Sequence, residues 1–275
     1  MKKEQTNKNF WDRFSKIYHL FMKRNAVAYE NICQCLDKYI DEQKKVLELA
    51  CGTGQITFSM ADKAKSWAAT DYSENMVNEA KRRGATVGGC RNLSFQVQDA
   101  TKLTYESESF DVVVIANALH IMPNPDLALQ EIHRVLKKDG ILFSPTFVYE
   151  KGYSRLTIWL MERVGFKTYH KWKKEEFVQY VSNYGFEVVE DSLLNGKLNK
   201  SNAPETVDSA FTDYCRSRIN TPGNAFTISN ALCSDDIGYK IEHIEITAYH
   251  HKYNKQKNSY FFPNLDICHT EINRQ

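Results

Sequence analysis

The segment at residues 46–54, VLELACGTG, is the feature that most constrains the fold of this chain. Its apolar residues flank one carboxylate, Glu48, and it ends in the glycine pair Gly52 and Gly54. This pattern predicts a buried parallel strand followed by a turn, where glycine lets the backbone approach a ligand because it has no Cβ. Open α/β sheets bind their ligands at the carboxyl ends of such strands. The segment by itself could also be a simple strand-to-helix connection, so its interpretation depends on the segments that follow.

Three later segments also end an apolar run with a polar residue. Asp71 follows the second run, 17 residues after the second glycine, and an acid at about 20 residues accepts hydrogen bonds from ribose in dinucleotide-binding folds. Asp99 closes a stretch in which apolar and polar residues alternate over 93–97, as in a half-buried strand. Residues 112–116, VVVIA, are typical of a strand covered on both faces and lead to Asn117. The order predicts a parallel α/β sheet with ligand-binding residues at successive strand ends.

In order and spacing these segments resemble the class I S-adenosylmethionine-dependent methyltransferases, in particular the small type 11 metabolite methyltransferases. The resemblance covers residues 44–149 and implies a Rossmann-like, doubly wound, mostly parallel seven-stranded sheet flanked by helices. Each matching segment is weak alone, and five in order are a strong signal. They are ELACGTG at 48–54, TDYSENM at 70–76, QDA at 98–100, FDVVVIANALH at 110–120 and EIHRVLKKDG at 131–140.

A nicotinamide-dependent dehydrogenase is the nearest alternative with a related fold. Its Gly-x-Gly-x-x-Gly fingerprint needs a glycine at position 57, where this chain has Thr57. Asp71 suits either cofactor, but Glu48 and Asp99 suit the methyl donor better. The sequence therefore favours S-adenosylmethionine as the cofactor.

The resemblance implies contacts along the whole cofactor. Glu48 would organise the loop and face the ammonium of the methionine moiety, while Gly52 and Gly54 let the backbone lie against the ligand. Asp71 would accept hydrogen bonds from both ribose hydroxyls, which is a bidentate contact.

The same resemblance assigns residues to the adenine and methionine ends of the cofactor. Tyr72 and Met76 would enclose the adenine ring, with Met76 supplying polarizable packing. Asp99 would accept from the adenine amino group, and the backbone of Ala100 would contact the ring edge. Asn117 would lie beside the methionine end.

His120 is the candidate catalytic residue, because it follows the fourth strand on the side where substrate should enter. It is either a base that deprotonates the acceptor near neutral pH or a histidine packed at the rim of the pocket. His133, on an amphipathic helix, is predicted to lie at the surface.

The N-terminal residues 9–39 are predicted to be helical, because aromatic and apolar residues recur at helical spacing from Phe10 to Met22. We interpret residues 1–40 as a lid over the cofactor, with Tyr18 approaching it. The alternative is a basic amphipathic helix that makes weak contact with a membrane surface, which would suit a quinone or lipid substrate.

Residues 41–196 alternate between strand and helix patterns, as right-handed crossovers between parallel strands require. Ser73 is a predicted helix cap, and Gly140 is predicted to stop a helix before a fifth strand begins at residue 141. Further helices are expected at 55–63, from 125, at 154–164 and at 175–184, and a sixth strand at 187–190.

The chain departs from the family pattern at residues 197–275. A turn at 195–196 should lead into an apolar antiparallel strand, and no such strand follows directly. Residues 241–249 are a candidate replacement, since 244, 246 and 248 are apolar and alternate with polar residues; residues 199–237 would then be an insertion. The polar, Asn- and Ser-rich composition favours a poorly packed tail instead.

Charge and hydropathy argue against a nucleic-acid-binding protein and against a membrane-spanning one. Basic and acidic residues nearly cancel, 36 against 34, so no net charge directs the protein to nucleic acid. No apolar run reaches the ~20 residues that span a bilayer, and the N-terminus lacks the apolar core of a secretion signal, so we expect a cytoplasmic protein. The seven cysteines are scattered, and neither a metal site nor a disulfide framework is predicted.

The sequence therefore predicts an enzyme that transfers a methyl group from S-adenosylmethionine to a small-molecule acceptor. The cofactor brings an activated methyl group, so the protein must mainly hold the acceptor in line with the S–CH₃ bond and exclude water. Two alternatives stay open. One is a quinone or phospholipid methyltransferase at the membrane surface, and the other is a non-catalytic scaffold that binds S-adenosylmethionine. The sequence does not predict the oligomeric state.

Overall fold

Five parallel strands in the spatial order 3-2-1-4-5 form the centre of the fold. The structure is a computed structural model that describes residues 4–23, 26–87, 91–148, 167–194 and 244–251. The strands are β1 (Lys45–Leu49), β2 (Ser66–Asp71), β3 (Leu93–Val97), β4 (Phe110–Ile115) and β5 (Leu136–Phe143). Strand β1 pairs with both β2 and β4, so the order of strands reverses there, and the loops at their carboxyl ends diverge to leave a crevice. The predicted α/β class with a parallel sheet is confirmed.

Helices cover both faces of this sheet. Alternate residues of each strand point to opposite faces, which produces two apolar clusters. One cluster joins helices on one face to the sheet through Ile32, Leu36 and Trp67, and the other joins helices on the opposite face to it through Leu129 and Phe177. The helices are α1 (Glu4–Lys23), α2 (Ala26–Asp37), α3 (Thr57–Met60), α4 (Glu74–Val87), α5 (Pro125–Val135) and α6 (Lys174–Ser182), with single 3₁₀ turns at Ala61–Lys63 and Leu119–Ile121.

Helix α1 packs against the N-terminal end of α4. The predicted cap Ser73 is confirmed, because its hydroxyl oxygen accepts a hydrogen bond of 3.1 Å from the amide of Met76. The same hydroxyl donates to Oδ1 of Asp12 on α1, at 2.5 Å. The segment predicted to be helical over 9–39 thus contains two helices, and the first is held beside the strand ends. None of the helices in the described ranges is long and apolar enough to cross a bilayer.

Strand β5 begins earlier than the sequence predicts. Helix α5 already ends at Val135, so the predicted stop at Gly140 is wrong. Asp139, not Gly140, has the positive φ of 62°, and the register between β5 and β4 shifts at this point, as it does at a β-bulge. A Cβ on Gly140 would lie 2.9 Å from the carbonyl oxygen of Lys137, so glycine is needed there for close packing within the bulge.

Three further strands extend the sheet beyond β5, so the described residues form eight strands rather than the seven that the resemblance implies. They are β6 (Thr146–Phe147), β7 (Phe186–Leu194) and β8 (Ile244–His251). Strand β8 lies between β5 and β7 and is antiparallel to both. The replacement strand suggested by the alternating pattern is therefore confirmed with slightly later bounds, and the preferred tail hypothesis is wrong for these eight residues.

Several predictions fall outside the described residues. These are the helix at 154–164, the turn at 195–196 and the insertion at 199–237.

His133 is buried, contrary to the prediction. Its side chain is 4% exposed, and its ring lies 5.7 Å from the ring of Phe186. A Cβ on Gly185 would lie 3.0 Å from its Nε2. The crossover from α6 to β7 covers this face of α5, and the sequence of α5 alone carries no sign of that cover.

Candidate functional site

A cavity of about 190 Å³ opens at the carboxyl ends of β1 to β4. Residues directly after each strand line it, and α1 and α2 contribute to its wall. The strand-end residues include Gly52, Asp71, Asp99 and Asn117, and the helices contribute Lys8, Trp11, Tyr18 and Tyr29. The cavity lies at the reversal point of the sheet, where open α/β folds bind their ligands.

Most of the predicted site residues meet in this cavity. Gly54 and His120 are not among the residues that line it. The predicted residues in its wall are Tyr18, Glu48, Gly52, Asp71, Tyr72, Met76, Asp99, Ala100 and Asn117.

Glu48 is a buried carboxylate in the floor of the cavity, only 3% exposed. Its Oε2 accepts hydrogen bonds from the hydroxyl of Thr57 at 2.6 Å and from the indole Nε1 of Trp67 at 2.8 Å. Burial raises the pKa of Glu48 to about 7, and the two donors partly oppose this rise. Glu48 can therefore exchange a proton near neutral pH, and a cation in the cavity would favour its ionised form.

Asp71 ties the turn after β1 to the start of α4. Its Oδ2 accepts from the amide of Gly52 at 2.9 Å, and its Oδ1 accepts from the amide of Ser73 at 2.8 Å. Burial raises the pKa of Asp71 to about 6, so it is mostly ionised at pH 7. Each carboxylate oxygen keeps a second lone pair that can accept from a ligand hydroxyl.

The two glycines of the turn serve different purposes. Gly52 has φ of 56°, and a Cβ there would lie 3.2 Å from the ring of Tyr18, so its position allows the aromatic ring to approach the turn. Gly54 has φ of 86°, and a Cβ there would lie 2.6 Å from the ring of Phe58. Arg83 of α4 lies over that ring, 5.3 Å from its centroid. Gly54 therefore supports the turn from outside the cavity.

The outer end of the cavity is formed by the residues predicted to contact adenine. Met76 is buried, while Tyr72 is 44% exposed and lies under Nζ of Lys8, which is 4.8 Å from the centre of its ring. Oδ1 of Asp99 accepts from the amide and the hydroxyl of Thr101, at 2.9 and 2.7 Å. This part of the wall offers one flat aromatic face, one thioether and one exposed carboxylate.

Asn117 is held in a left-handed conformation, with φ of 53°, which asparagine tolerates better than most residues. Its amide donates to the carbonyl of Pro145 at 2.8 Å, and its Nδ2 makes a long hydrogen bond of 3.5 Å to the hydroxyl of Tyr29. Its Oδ1 is buried and has no hydrogen-bond partner among the residues that the structure describes. A buried acceptor of this kind requires a donor, which a bound ligand can supply.

Tyr18 and Tyr29 join α1 and α2 above the cavity. Their hydroxyl groups are hydrogen-bonded to each other, and burial raises the pKa of both, so both stay protonated at neutral pH. The cavity wall therefore has two neutral hydroxyl groups near its carboxylates Asp71 and Glu48.

His120 lies behind the cavity wall. It is 4% exposed, its Nδ1 is 3.2 Å from the hydroxyl of Thr146, and its ring meets the ring of Phe147 edge to face. Burial, assisted by the nearby His170, lowers the pKa of His120 to about 4. This geometry agrees better with a packed histidine than with a base that contacts the acceptor.

Sequence reasoning missed several residues of the cavity and its support. Trp11 and Tyr29 line it, and their helical spacing gave the only signal, which did not distinguish the cavity from ordinary core. Thr57 and Trp67 bond to Glu48, but each looked like a normal residue of a helix or strand. No group of three or more potential metal ligands occurs in the described ranges.

The residues of the cavity fit S-adenosylmethionine. Glu48 and Asp71 provide negative charge toward a ligand that carries a sulfonium and an ammonium, and the buried Oδ1 of Asn117 can accept from that ammonium. Lys8 is the one basic side chain among the described residues that line the cavity, so little there would neutralise the pyrophosphate of a dinucleotide. The charged and polar groups of the cavity wall therefore suit S-adenosylmethionine better than a nicotinamide cofactor.

The fold and this cavity define a Rossmann-like α/β protein with a nucleoside-type site, and comparison with known proteins specifies the family. The sequence profile of a methyltransferase domain matches residues 40–205, more than half of the chain. The chain belongs to the S-adenosylmethionine-dependent methyltransferases, and the family implies S-adenosylmethionine as methyl donor and a small-molecule acceptor.

Two similar proteins are methyltransferases whose names refer to menaquinone or ubiquinone. The chain is 26% identical to the demethylmenaquinone methyltransferase of Staphylococcus epidermidis over 226 residues, which is 77% of this chain and 90% of that protein. It is 29% identical over 149 residues to the ubiquinone/menaquinone biosynthesis C-methyltransferase UbiE of Rickettsia prowazekii. That match covers 50% of this chain and 59% of the Rickettsia protein, so the chain spans less than two thirds of that relative.

Solved structures share the fold. The MccD protein has a TM-score of 0.61 at 22% identity, over 81% of this chain and 97% of that one. A putative sarcosine dimethylglycine methyltransferase from Galdieria sulphuraria has a TM-score of 0.59 at 15% identity, over 82% and 85%. At these identities the likeness concerns the fold alone.

Proposed function

We propose that this protein transfers a methyl group from S-adenosylmethionine to a small-molecule acceptor in the cavity at the ends of β1 to β4. The observation that carries the proposal is the pair of carboxylates, the buried Glu48 and the half-buried Asp71, at adjacent strand ends beside the turn at Gly52. When bound, the cofactor supplies an activated methyl group on a sulfonium, so the protein does not need to create an electrophile.

The chain's own residues bind, orient and exclude water in this proposal. Asp71 accepts from the ribose hydroxyls while its amide partners keep the turn in place. Glu48 and the Oδ1 of Asn117 face the cationic methionine end. Tyr18, on α1, covers the site, and α1 acts as a lid that keeps water from the reacting groups.

The acceptor enters at the end of the cavity that follows β4. Apolar side chains of Ile121, Met122 and Pro123 line this end, and none of the described residues there is basic. A neutral or weakly polar acceptor suits such a wall better than a phosphorylated one. A nucleic-acid substrate is not part of the proposal, because Lys8 is the one basic side chain that the described residues contribute to the cavity wall, whereas nucleic-acid tracks combine several basic groups with aromatic ones.

A quinone precursor is the more specific candidate. One relative named above is a demethylmenaquinone methyltransferase and the other a C-methyltransferase of ubiquinone/menaquinone biosynthesis by name, and the acceptor end of the cavity is apolar. Membrane-surface contact through α1 and a cytoplasmic location stay predictions from the sequence.

A turnover assay tests the proposal. The full chain is incubated with methyl-labelled S-adenosylmethionine and a panel of quinols, phenols, amines and thiols, and both the labelled product and S-adenosylhomocysteine are measured. We expect acceptor-dependent turnover with at least one apolar hydroxylated or quinol acceptor. Tight binding of the donor without turnover on any acceptor would instead support the non-catalytic scaffold.

Liposome co-sedimentation distinguishes the two roles of α1. A lid predicts no membrane binding by the full chain and weaker donor binding after deletion of residues 1–25. Co-sedimentation that this deletion abolishes would favour the membrane helix.

A further inference from the structure

Trp67 lies inside β2 with its indole almost completely buried, 1% exposed. It is not among the residues that line the cavity, yet its Nε1 donates to Glu48, which does line it. Thr57, which is completely buried on α3, donates to the same carboxylate oxygen. The carboxylate in the cavity floor is thus held from behind by two donors.

We propose that Trp67 is a positioning residue of the cofactor site, which fixes the Glu48 carboxylate in the cavity floor and thereby sets its affinity for the cationic end of the methyl donor. The inference rests on the proposed function, since it takes S-adenosylmethionine as the ligand.

The register of the sheet explains why a tryptophan can do this. In the parallel pair of β1 and β2, Trp67 is opposite Val46 and Glu48 is opposite Ala69. These four residues share one face of the sheet, since side chains alternate along a strand. The indole fills the core below α2 and α3, and its N–H reaches one step along the neighbouring strand. A phenyl ring would fill most of the same space without the donor.

The hydrogen bond from Trp67 matters because the Glu48 carboxylate is buried. A buried carboxylate without hydrogen-bond donors is costly, and it then favours the protonated form. Burial and the nearby Asp71 already raise the pKa of Glu48 to about 7, while the bonds from Thr57 and Trp67 lower it. Removing one donor should raise this pKa further and leave Glu48 protonated at neutral pH.

The other titratable groups near Glu48 do not replace its charge. Tyr29 and Cys33 face it from α2, and Cys51 faces it from the turn after β1. Burial raises the pKa of all three, so they are neutral near pH 7. Asp71 is the remaining anion, and it interacts with Glu48 unfavourably. The protonation of Glu48 should therefore control how strongly the cavity floor attracts a cation.

The first test is the pH dependence of donor binding. Calorimetry measures the Kd of S-adenosylmethionine for the full-length wild type and for Trp67→Phe from pH 6 to 9. We expect affinity to rise with pH through the titration of Glu48, and the midpoint to move to higher pH in the variant. At pH 7 the variant should bind about 10-fold more weakly, as the loss of a hydrogen bond to a charged group predicts. An unchanged midpoint would overturn the inference.

A double-mutant cycle excludes a merely structural role. If Trp67 acts through Glu48, then Trp67→Phe should cause no further loss of affinity in a Glu48→Gln background. Equal losses in both backgrounds would overturn the inference. Phe143→Leu is the control for a disturbed core, since Phe143 is a fully buried ring on β5. This control should lower the melting temperature without moving the pH midpoint.

A measurement on folded wild type covers the case in which Trp67→Phe does not fold. The indole N–H resonance of Trp67, assigned with variants at the other tryptophans, should shift with pH in wild type and should not in Glu48→Gln. A resonance that does not respond to pH in wild type would overturn the inference. Failure of the wild type to bind S-adenosylmethionine overturns the proposed function as well, whereas normal wild-type binding with an unaffected Trp67→Phe overturns this inference alone.

Discussion

At the scale of single residues, Asp71 links the architecture to the chemistry. Its two oxygens bond to the amides of Gly52 and Ser73, so one side chain fixes both the turn after β1 and the start of α4. The same carboxylate lines the cavity. Because the backbone donors orient it before any ligand binds, its contact with a ribose would need little reorganisation.

Replacing Asp71 with Asn should weaken S-adenosylmethionine binding about 10- to 100-fold, because hydrogen bonds to a charged acceptor contribute about 1.5–3 kcal/mol. Calorimetry on full-length protein measures the change. Asp62→Asn, at an exposed aspartate in the 3₁₀ turn after α3, is the matched control and should bind normally. Equal affinity of the two variants would remove Asp71 from the site.

The raised pKa of Glu48, about 7, predicts that the cofactor-free protein loses stability as pH rises. The folded state holds the proton of Glu48 more tightly than the unfolded chain does. The stabilisation that this proton provides is therefore fully present below the pH range in which ordinary carboxyl groups titrate, and it is lost as pH rises through about 7. The lowered pKa of His120, about 4, instead makes the folded state gain stability as pH rises above about 4. This gain is nearly complete by pH 6.5.

From pH 6.5 to 8 the difference between wild type and Glu48→Gln reports mainly on Glu48, because Asp71, whose pKa is raised to about 6, loses most of its bound proton below this window. Across it, wild type should lose on the order of 1 kcal/mol, or about 2–4 °C of melting temperature, more than Glu48→Gln does. Thermal denaturation followed by circular dichroism checks this difference. Parallel pH profiles for the two proteins would contradict the assignment of a raised pKa to Glu48.

At the scale of secondary-structure elements, α1 and β8 are the parts that extend the parallel core. Helix α1 reaches the site through Trp11 and Tyr18 and is tied to α4 by the bond from Ser73 to Asp12. Strand β8 fills the space between β5 and β7, so its backbone pairs on both sides.

Asp12→Ala should weaken binding of S-adenosylmethionine about 3- to 10-fold. The variant loses the hydrogen bond from Ser73 that holds α1 over the site, and such a bond has a net contribution of roughly 0.5–1.5 kcal/mol. Arg13→Ala, at an exposed position on the same helix, is the control. If the two variants bind the donor equally well, the lid role of α1 fails.

Ala248→Pro should destabilise the fold by about 2–4 kcal/mol, because Ala248 pairs with both Phe143 and Glu190 and proline cannot donate to a ladder. Urea denaturation measures the loss. Ala248→Val keeps the amide and serves as control. A proline variant as stable as this control would show that β8 does not occupy the centre of this part of the sheet.

The elements also differ in how far sequence could predict them. Strands β1 to β4 are short apolar runs that end in a polar residue, a pattern contained in a few consecutive residues. The bulge at Asp139 depends on the register with β4, and the burial of His133 depends on Gly185 and Phe186. Strand β8 has a clear alternating pattern, but residues 195–243 separate it from β7 along the chain. Long-range contacts, which local patterns do not contain, decide these three features.

The site shows the same division. Residues at strand ends, such as Asp71 and Asn117, could be placed in the cavity from the order of the motifs alone. The contributions of Tyr29 and Trp67 depend on how α2 packs over the sheet and on the pairing of β1 with β2. Sequence therefore predicts which strand ends meet the ligand, and the packed structure adds what covers and supports them.

At the scale of the whole molecule, the distribution of charge supports one ligand class. The chain as a whole is nearly neutral, with a formal net charge of +2. The cavity nevertheless has Glu48, Asp71 and Asp99 in its wall, with Lys8 as the single basic side chain from the described part of the chain. A cationic nucleoside suits this wall, whereas a dinucleotide with a negative pyrophosphate does not.

The most direct test is the thermal stability of the full-length protein with saturating S-adenosylmethionine or saturating NAD. At 100 times its Kd the methyl donor should stabilise the fold by about 2.7 kcal/mol, which raises the melting temperature by about 5–10 °C. NAD should leave the melting temperature unchanged. No rise with S-adenosylmethionine, or an equal rise with NAD, would contradict the account.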